Sequence, residues 1–306
     1  MYDVIIIGGG PAGLTAGLYT SRARLKTLLI EKGFTGGQVM TTEWIENYPG
    51  FEDGISGAEL SQKMEKQAVK FGLEIAQGSV TGVSSNGKMK EVALENDTKY
   101  EAKAVILATG SNPRPLNIEG EDEFRGRGVS YCATCDGAFF RGATLVVIGG
   151  GDSAVEEGIF LTKFADKVYI VHRRDELRAC KVVQERAFEN PKIEFVWDSV
   201  PEKIIGDETG VTELYIKNVK TEEQSVIKAT GIFIYVGYDP NTAFLQGLVG
   251  LNENNYIVGN EDMSTSAAGV FVAGDVRKKT LKQIATAVGD GATAAMAAEK
   301  YIEENS

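Results

Sequence analysis

The chain has 306 residues, of which 43% are apolar and 25% are charged, a composition typical of a globular protein large enough for two domains. Its formal net charge of −11 excludes nucleic acid and anionic membrane surfaces as partners, because both attract a surplus of Lys and Arg. No apolar stretch approaches the ~20 residues of a membrane-spanning helix, so no membrane partner is expected.

The N-terminus and the cysteine count predict the compartment. The first apolar run follows Met1 without the basic region of a secretory signal peptide. The chain has three cysteines, and without a secretory signal this number is typical of a reducing compartment. We therefore expect a cytoplasmic protein in which any disulfide is catalytic rather than structural.

The chain opens with a predicted strand over residues 4–7, a glycine-rich turn and a helical pattern through Ala23. Gly8, Gly10 and Gly13 occupy the three small positions of the turn. The first small residue permits the bend, the second lets the backbone approach a pyrophosphate, and the third lets the helix pack on the strand. A single turn of this kind is weak evidence for a nucleotide site.

Glu31 ends the next predicted strand, 23 residues after Gly8. In this fold that position faces the adenosine ribose, where a carboxylate accepts hydrogen bonds from both hydroxyls and repels a 2′-phosphate. The first turn is therefore predicted to bind FAD.

A second copy of the turn lies in the middle of the chain, within ATLVVIGGGDSAVEEGIFL. Gly149, Gly151 and Ala154 fill its three small positions, again after a predicted strand and before a predicted helix. Two such copies are strong evidence for two dinucleotide sites.

The residues after the second copy predict NADPH. His172 stands 23 residues after Gly149, and Arg173, Arg174 and Arg178 follow. Paired guanidinium groups match the charge and geometry of a 2′-phosphate. The alternative is that these arginines form an ordinary solvated patch.

Glycines and prolines place the domain boundaries. Residues 104–115 and 231–242 each run from an apolar strand to a glycine and a proline turn, and the second nucleotide turn lies between them. The tail, with its strand, Gly274–Asp275 and a long amphipathic helix, is interpreted as the end of the first unit. We predict an α/β fold of two Rossmann-like, three-layer dinucleotide-binding domains. Residues 1–113 and 237–306 form the FAD domain, into which the NADPH domain, residues 114–236, is inserted.

The segment SYCATCDGAFF places Cys132 and Cys135 two residues apart. A zinc site needs four ligands, and three cysteines with one histidine would just supply them. His172, however, already stands where the cofactor phosphate is expected, so no metal is expected. A structural staple is also disfavoured, because closing so short a loop removes little entropy. A redox dithiol is the favoured interpretation, since this spacing often lowers the pKa of one thiol.

Asp136 follows the pair directly, and two roles remain open for it. It is a candidate N-cap of a helix. It is also the best-placed acid or base for the proton that thiol–disulfide exchange moves, provided that burial beside Phe139 and Phe140 raises its pKa.

The ordered motifs GGGPAG, GGQ, ENYPG, CATCDG, GGGDSAVEE, HRRDELRA and AGDV followed by KQI resemble the low-molecular-weight thioredoxin reductases over nearly the whole chain. The resemblance implies bound FAD, NADPH as electron donor, a homodimer, and thioredoxin as the protein substrate. The sole histidine distinguishes the chain from the larger glutathione-reductase type, which needs a histidine acid near its C-terminus. One departure is Cys180, where relatives often have a charged residue; we interpret it as a bystander thiol, sensitive to oxidation beside the phosphate arginines.

The resemblance also implies the site residues. Asp275 would bind the ribityl chain, and Gln283 and Ile284 would lie beside the flavin ring. The residues expected to bind FAD are Gly8, Gly10, Gly13, Glu31, Gly37, Gln38, Asn47, Gly110, Asp275, Lys282, Gln283 and Ile284. Those expected to bind NADPH are Gly151, Asp152, Ser153, Ala154, Arg173, Arg174 and Arg178.

The expected catalytic residues are Cys132, Cys135 and Asp136. By resemblance, Cys135 faces the flavin and Cys132 attacks the disulfide of thioredoxin. Because the nicotinamide and the cysteine pair compete for one flavin ring, the inserted domain is predicted to swivel about residues 113–115 and 237–240.

Related flavoenzymes are the alternatives. A ferredoxin-driven reductase or an oxygen-using dithiol oxidase should lack the second glycine turn and its arginines. A reductase that feeds a peroxidase module, and a flavin-binding redox sensor whose disulfide changes its partners, are the others.

Overall fold

The computed structural model describes residues 1–42 and 44–305, and the elements below are those of this part of the chain. The helices are α1 (Pro11–Arg22), α2 (Gly57–Lys70), α3 (Ala133–Asp136), α4 (Asp152–Leu161), α5 (Lys181–Phe188) and α6 (Ile284–Asn305). The first strands are β1 (Tyr2–Ile7), β2 (Thr27–Glu31), β3 (Glu74–Gln77), β4 (Val80–Asn86), β5 (Met89–Leu94), β6 (Lys99–Leu107), β7 (Ser111–Pro113) and β8 (Val129–Ser130). The others are β9 (Thr144–Ile148), β10 (Lys167–Val171), β11 (Ile193–Val196), β12 (Ser199–Asp207), β13 (Gly210–Asn218), β14 (Gln224–Lys228), β15 (Gly231–Ile234), β16 (Tyr238–Pro240) and β17 (Val270–Val272).

The chain divides into two compact units. The first unit contains Met1–Asn112 and Asp239–Ser306, and the second contains Pro113–Tyr238. The predicted inserted domain began one residue later, at 114, and ended two residues earlier, at 236. At the two crossings, β7 and β16 pair with each other as a two-stranded sheet.

The first unit is built on one sheet with the order β3–β2–β1–β6–β5–β4, and β17 also pairs with β6. Pairing is parallel among β1, β2, β3, β6 and β17, and antiparallel where β4 and β5 join the sheet. Both faces of β1 are buried from Val4 to Ile7, which explains the uninterrupted apolar sequence of these four residues. Val4 and Ile6 pack on the face covered by α1 and α6, whereas Ile5 and Ile7 pack on the opposite face.

The last helix, α6, buries one stripe of mostly small side chains at three- and four-residue spacing, as an amphipathic helix does. The buried residues are Ala287, Asp290, Gly291, Ala294, Ala295, Ala298 and Ile302. A Cβ atom on Gly291 would lie 2.2 Å from the carbonyl oxygen of Ala12, so glycine allows α6 to approach α1 closely. Through this contact α6 supports the first glycine turn.

The second unit has a fully parallel sheet of order β11–β10–β9–β15–β8. Leu145 and Val147 of β9 pack with Ala133 and Ala154 from α3 and α4 on one face. The opposite face packs against residues of the antiparallel sheet β12–β13–β14. The predicted α/β class, with two Rossmann-like units, is confirmed. Among the described residues no helix is both long and apolar enough to cross a membrane.

Candidate active site

The first glycine turn connects β1 to α1. Gly8 has a φ of 106°, and a Cβ on it would lie 2.3 Å from the carbonyl oxygen of Ala108. A Cβ on Gly13 would lie 1.9 Å from the carbonyl oxygen of Gly8, so only glycine lets α1 start this close to the strand. Gly10 differs, because a Cβ there would meet nothing within 4 Å. The open side of the turn therefore lies at Gly10, as a pyrophosphate cradle at a helix N-terminus requires.

Glu31 lies at the end of β2 and supports this turn directly. Its carboxylate accepts hydrogen bonds from the N–H groups of Gly9, at 2.7 Å, and Gly33, at 3.0 Å. Gly37 reaches the same place, since a Cβ on it would lie 3.3 Å from the Cα of Gly10. Glu31 and Gly37, predicted from separate motifs, therefore meet at the first turn.

Other predicted flavin residues form a second group in the first unit. The amide nitrogen of Asn47 donates to the amide oxygen of Gln283 at 3.2 Å. Ile284 begins α6 and packs on the apolar cluster of Val39, Ile45, Ile55 and Leu60.

The remaining predicted flavin residues make contacts of different kinds. Gln38 donates to the carbonyl oxygen of Ser111 at 3.4 Å. The ammonium group of Lys282 lies 3.4 Å from the ring centre of Tyr256. Gly110 has a φ of 63° after β6, a conformation that favours glycine.

Asp275 lies in a short 3₁₀ turn, Gly274–Val276, that follows β17. Burial raises the pKa of Asp275, and the ammonium groups of Lys279 and Lys282 oppose that rise. Its Oδ1 lies 3.5 Å from the Lys279 Nζ but makes no hydrogen bond to any described residue. A buried carboxylate oxygen with an ammonium group at 3.5 Å but no hydrogen bond fits a hydroxyl of a ribityl chain, so this turn fits FAD.

Asp290 of α6 holds the Asp275 turn in place and was not predicted from the sequence. Its Oδ2 accepts the N–H of Gly274 at 3.1 Å and the ammonium of Lys279 at 3.0 Å. Arg277 Nε lies 3.5 Å from the same oxygen. The signal in the sequence was an acidic residue within an otherwise small and apolar helix stripe, where an unpaired carboxylate would be costly.

The second glycine turn connects β9 to α4. Gly149 has a φ of 149°, and the middle glycine, Gly150, lies under the His172 ring, which a Cβ would approach to 2.5 Å. A Cβ on Gly151 would meet nothing within 4 Å, so Gly151 is the open position of this turn. Ser153 and Ala154 lie in the first turn of α4, while Asp152 uses its carboxylate to accept the N–H of Cys180 at 2.6 Å.

The predicted phosphate arginines lie beside this turn. Arg173, Arg174 and Arg178 are exposed, and among the described residues none of them has an ion-pair partner. The N–H of Arg178 donates to the carbonyl oxygen of Gly150 at 2.7 Å, which ties the arginine segment to the turn. Three unpaired cations beside an open glycine turn fit a dinucleotide with an additional phosphate.

His172 is 5% exposed, and its Nε2 has no hydrogen-bond partner among the described residues. Burial lowers the pKa of His172, and the nearby charges of Arg178, Arg173 and Arg174 lower it further. The imidazole is therefore neutral at neutral pH and forms part of the packing of the turn.

The cysteine pair forms a disulfide, Cys132–Cys135, with a Cα–Cα distance of 5.3 Å. Cys132 is the N-cap of α3, and its Sγ accepts the N–H of Cys135 at 3.2 Å. The hydroxyl of Ser130 accepts the N–H of Cys132 at 3.0 Å. Cys135 is exposed and Cys132 is half-buried, so the disulfide lies at the surface of the second unit.

Two roles were open for Asp136. It is the last residue of α3 and the N-cap of the short 3₁₀ helix Gly137–Phe139, but its side chain makes no capping hydrogen bond there, and Cys132 is the N-cap of α3. The expected burial beside Phe139 is wrong, because that ring is 83% exposed and Asp136 is half-buried. Asp136 nevertheless stays directly beside the disulfide through its N–H, which donates to the carbonyl oxygen of Cys132 at 3.2 Å.

The third cysteine, Cys180, is an exposed free thiol at the N-cap of α5. It lies two residues after Arg178, as predicted. Among the described residues no group of three or more His, Cys, Asp or Glu side chains is arranged to hold a metal ion.

Comparisons with a family model, with related sequences and with solved structures all point to the same family. Residues 2–291 match the family model described as pyridine nucleotide-disulphide oxidoreductase. The thioredoxin reductase of Listeria innocua is 52% identical over 304 residues, which cover 99% of this chain and 95% of that protein. The crystal structure of Lactococcus lactis thioredoxin reductase in the FR conformation is 51% identical, with a TM-score of 0.97 over 99% of this chain and 100% of that one. The thioredoxin reductase structure from Streptococcus pyogenes is 50% identical, with a TM-score of 0.67 over 99% of both chains.

Proposed function

Because the chain belongs to the pyridine nucleotide-disulphide oxidoreductase family and resembles its thioredoxin reductases, we propose that it is an NADPH-dependent thioredoxin-disulfide reductase. The observation that carries the proposal is the surface disulfide Cys132–Cys135 in a chain with two open glycine turns. A disulfide in a chain that also has two dinucleotide sites is suited to passing electrons rather than to stapling the fold.

The proposed FAD site lies in the first unit. Gly8, Gly10 and Gly13 would hold the pyrophosphate at the N-terminus of α1, with Glu31 and Gly37 beside it. Asp275 would accept a hydroxyl of the ribityl chain, supported by the orphan Oδ1. The other predicted FAD residues are proposed to bind FAD because of their positions in the family motifs; they are Gln38, Asn47, Gly110, Lys282, Gln283 and Ile284.

The proposed NADPH site lies in the second unit. Gly151, Asp152, Ser153 and Ala154 would receive the pyrophosphate at the N-terminus of α4. Arg173, Arg174 and Arg178 would bind the 2′-phosphate, which NADH lacks. Their exposure and their lack of ion-pair partners among the described residues support this role.

The electron path follows from these sites. FAD, held by the glycine turn and the Asp275 turn of the first unit, would supply the two-electron chemistry that links hydride from NADPH to the disulfide. The S–S bond then breaks, and two electrons and two protons convert it to two thiols. Asp136 is proposed to hold and release one of these protons, since it lies beside the pair.

The two cysteines are proposed to differ in role. The N–H of Cys135 already points at the Cys132 Sγ and would stabilise a thiolate there. Cys132 would attack the disulfide of oxidised thioredoxin and form a mixed disulfide. Cys135 would then attack Cys132, restore the internal disulfide and release reduced thioredoxin.

We also propose that the second unit rotates about the two crossings between half-reactions. Nicotinamide and disulfide would compete for one flavin ring, because each must come within ~3–3.5 Å of it to react. Two relatives of nearly equal identity, with TM-scores of 0.97 and 0.67 against this chain, support a fold that takes more than one arrangement. A covalent cross-link between the units that left steady-state turnover unchanged would refute the rotation.

A homodimer and a cytoplasmic location complete the proposal. The homodimer rests on resemblance, and a solution mass of two chains by light scattering would test it. The cytoplasmic location rests on cysteine usage, and fractionation of the source cells would test it.

The decisive assay follows NADPH oxidation with oxidised thioredoxin as electron acceptor. The FAD-loaded wild-type protein should turn over, whereas Cys132→Ser should lose at least about 10³-fold in kcat, because the proposed attacking thiol is gone and the internal disulfide that completes the cycle cannot form. Cys180→Ser is the matched control and should keep wild-type turnover. A wild-type protein whose flavin stays oxidised after anaerobic NADPH would instead be a redox sensor, and the proposal would fail.

A further inference from the structure

Tyr235 lies between the second glycine turn and the cysteine pair. Tyr235 directly follows β15, and the last residue of β15 pairs with Ile148, the last residue of β9. Tyr235 and Gly149 therefore lie at the carboxyl ends of two neighbouring parallel strands. The N–H of Tyr235 donates to the carbonyl oxygen of Ile148 at 2.8 Å. A Cβ on Gly149 would lie 2.4 Å from the Tyr235 carbonyl oxygen. The main chain of Tyr235 therefore forms one wall of the nucleotide turn.

The side chain of Tyr235 reaches the disulfide segment. Its hydroxyl accepts the N–H of Ala133 at 2.8 Å, and Ala133 is the fully buried first residue of α3. The ring packs on the apolar cluster that contains Ala133 and Ala154. A buried N–H needs an acceptor, and here this acceptor comes from a residue 102 positions along the chain.

This contact controls the geometry around the Cys132 sulfur. In the oxidised protein the disulfide itself holds Cys132 and Cys135 together. Once the disulfide is reduced, the position of the Cys132 Sγ against the N–H of Cys135 depends on weaker anchors. Two of these anchors flank the residue, the Ser130 hydroxyl on the N–H of Cys132 and the Tyr235 hydroxyl on the N–H of Ala133.

We propose that Tyr235 is a positioning residue for the redox dithiol, whose hydroxyl keeps the first turn of α3 in place when the disulfide opens. The inference rests on the proposed function, because it takes Cys132 as the attacking thiolate. With the turn held, the N–H of Cys135 continues to point at the Cys132 sulfur and lowers the pKa of that thiol.

The charge state of the phenol agrees with this role. Burial raises the pKa of Tyr235, and the negative charges of Glu157 and Asp136, together with Tyr238, raise it further, while the Ala133 N–H opposes the rise. The phenol therefore stays protonated and neutral over the working pH range. A neutral hydroxyl accepts the Ala133 N–H without placing a negative charge beside the thiolate.

The test compares Tyr235→Phe with the wild type as FAD-loaded, full-length enzyme. After anaerobic reduction with a phosphine, the rate of Cys132 alkylation by iodoacetamide is measured from pH 5 to 10. Peptide mapping separates Cys132 from Cys180. The midpoint of the profile should rise by about half to one pH unit in Tyr235→Phe, which slows alkylation roughly three- to tenfold at pH values well below the midpoint. Tyr235→Met, which removes the hydroxyl with another side chain, should shift the midpoint in the same direction.

Tyr169→Phe is the matched control, because it also removes a tyrosine hydroxyl, from β10 of the same sheet. It should leave the pH profile of Cys132 alkylation unchanged. An unchanged or lowered midpoint in Tyr235→Phe, with normal flavin content and normal flavin reduction by NADPH, would overturn the inference. Failure of the proposed function gives a different result, namely a wild-type enzyme in which NADPH forms no dithiol.

Discussion

Three guanidinium groups provide the residue-level argument for the electron donor. Arg173, Arg174 and Arg178 follow β10, and the backbone N–H of Arg178 donates a hydrogen bond to the carbonyl oxygen of Gly150 in the second turn. Burial lowers the pKa of the neighbouring His172, and the positive charges of these arginines lower it further, so His172 is neutral. A dianionic 2′-phosphate would relieve this concentration of positive charge.

Arg174→Gln is expected to weaken NADPH and to spare NADH. A hydrogen bond to a charged group contributes about 1.5–3 kcal/mol, so KM for NADPH should rise roughly 10- to 100-fold. The measurement is kcat/KM for both nucleotides in the thioredoxin-coupled assay. Arg127→Gln, whose guanidinium lies 5.3 Å from the ring centre of Phe124, is the control and should change neither value. Equal losses with NADPH and NADH would contradict a phosphate contact.

Residues whose chemistry is evident from their type and spacing could be predicted from the sequence. Cys132, Cys135 and the arginines belong to this group. Asp290 and Tyr235 were not predicted, because their partners lie 16 and 102 residues away along the chain; the acidic residue in the small, apolar stripe of α6 was a signal for Asp290 alone. The expected burial of Asp136 failed for a related reason, since an apolar neighbour such as Phe139 can face solvent as easily as the core.

Strand–turn–helix elements determine where both nucleotides are expected. In each copy, one position requires glycine because a Cβ would collide with nearby backbone; this is Gly13 in the first turn and Gly149 in the second. A second glycine faces open space in which a phosphate could bind; this is Gly10 in the first turn and Gly151 in the second. These units were predictable because they depend on local spacing. Some strands pair with strands far away in the sequence. For example, β17 pairs with β6 more than 160 residues away, and local spacing does not encode this pairing.

Gly13→Ala and Gly289→Ala make the same change in two helices of the first unit, with opposite expected results. The Cβ at Gly13 would lie 1.9 Å from the Gly8 carbonyl oxygen, whereas at Gly289 it would meet nothing within 4 Å. Gly13→Ala should lower Tm by about 5 °C or more and reduce flavin content. Gly289→Ala should raise Tm by roughly 2–4 °C, since alanine favours a helix interior by about 1 kcal/mol.

Calorimetry and the flavin absorbance of the purified variants check this pair. Retention of full flavin content and wild-type Tm in Gly13→Ala would show that the turn adjusts, and the proposed pyrophosphate site would lose its geometric basis.

At the scale of the whole molecule, one chain combines two dinucleotide-binding units with a dithiol. The disulfide belongs to the same unit as the proposed NADPH site, while the proposed flavin site belongs to the other unit. In the proposed electron path, every electron that reaches the disulfide passes through a group held by the first unit. This division of labour is the reason why rotation is proposed.

The most direct measurement of the central claim is an anaerobic dithionite titration of the FAD-loaded protein. The wild type should take up four electrons per chain, two at the flavin and two at the disulfide, whereas the Cys132→Ser, Cys135→Ser double variant should take up two. Equal uptake by the two proteins would contradict the account, because the disulfide would then lie outside the path of the electrons.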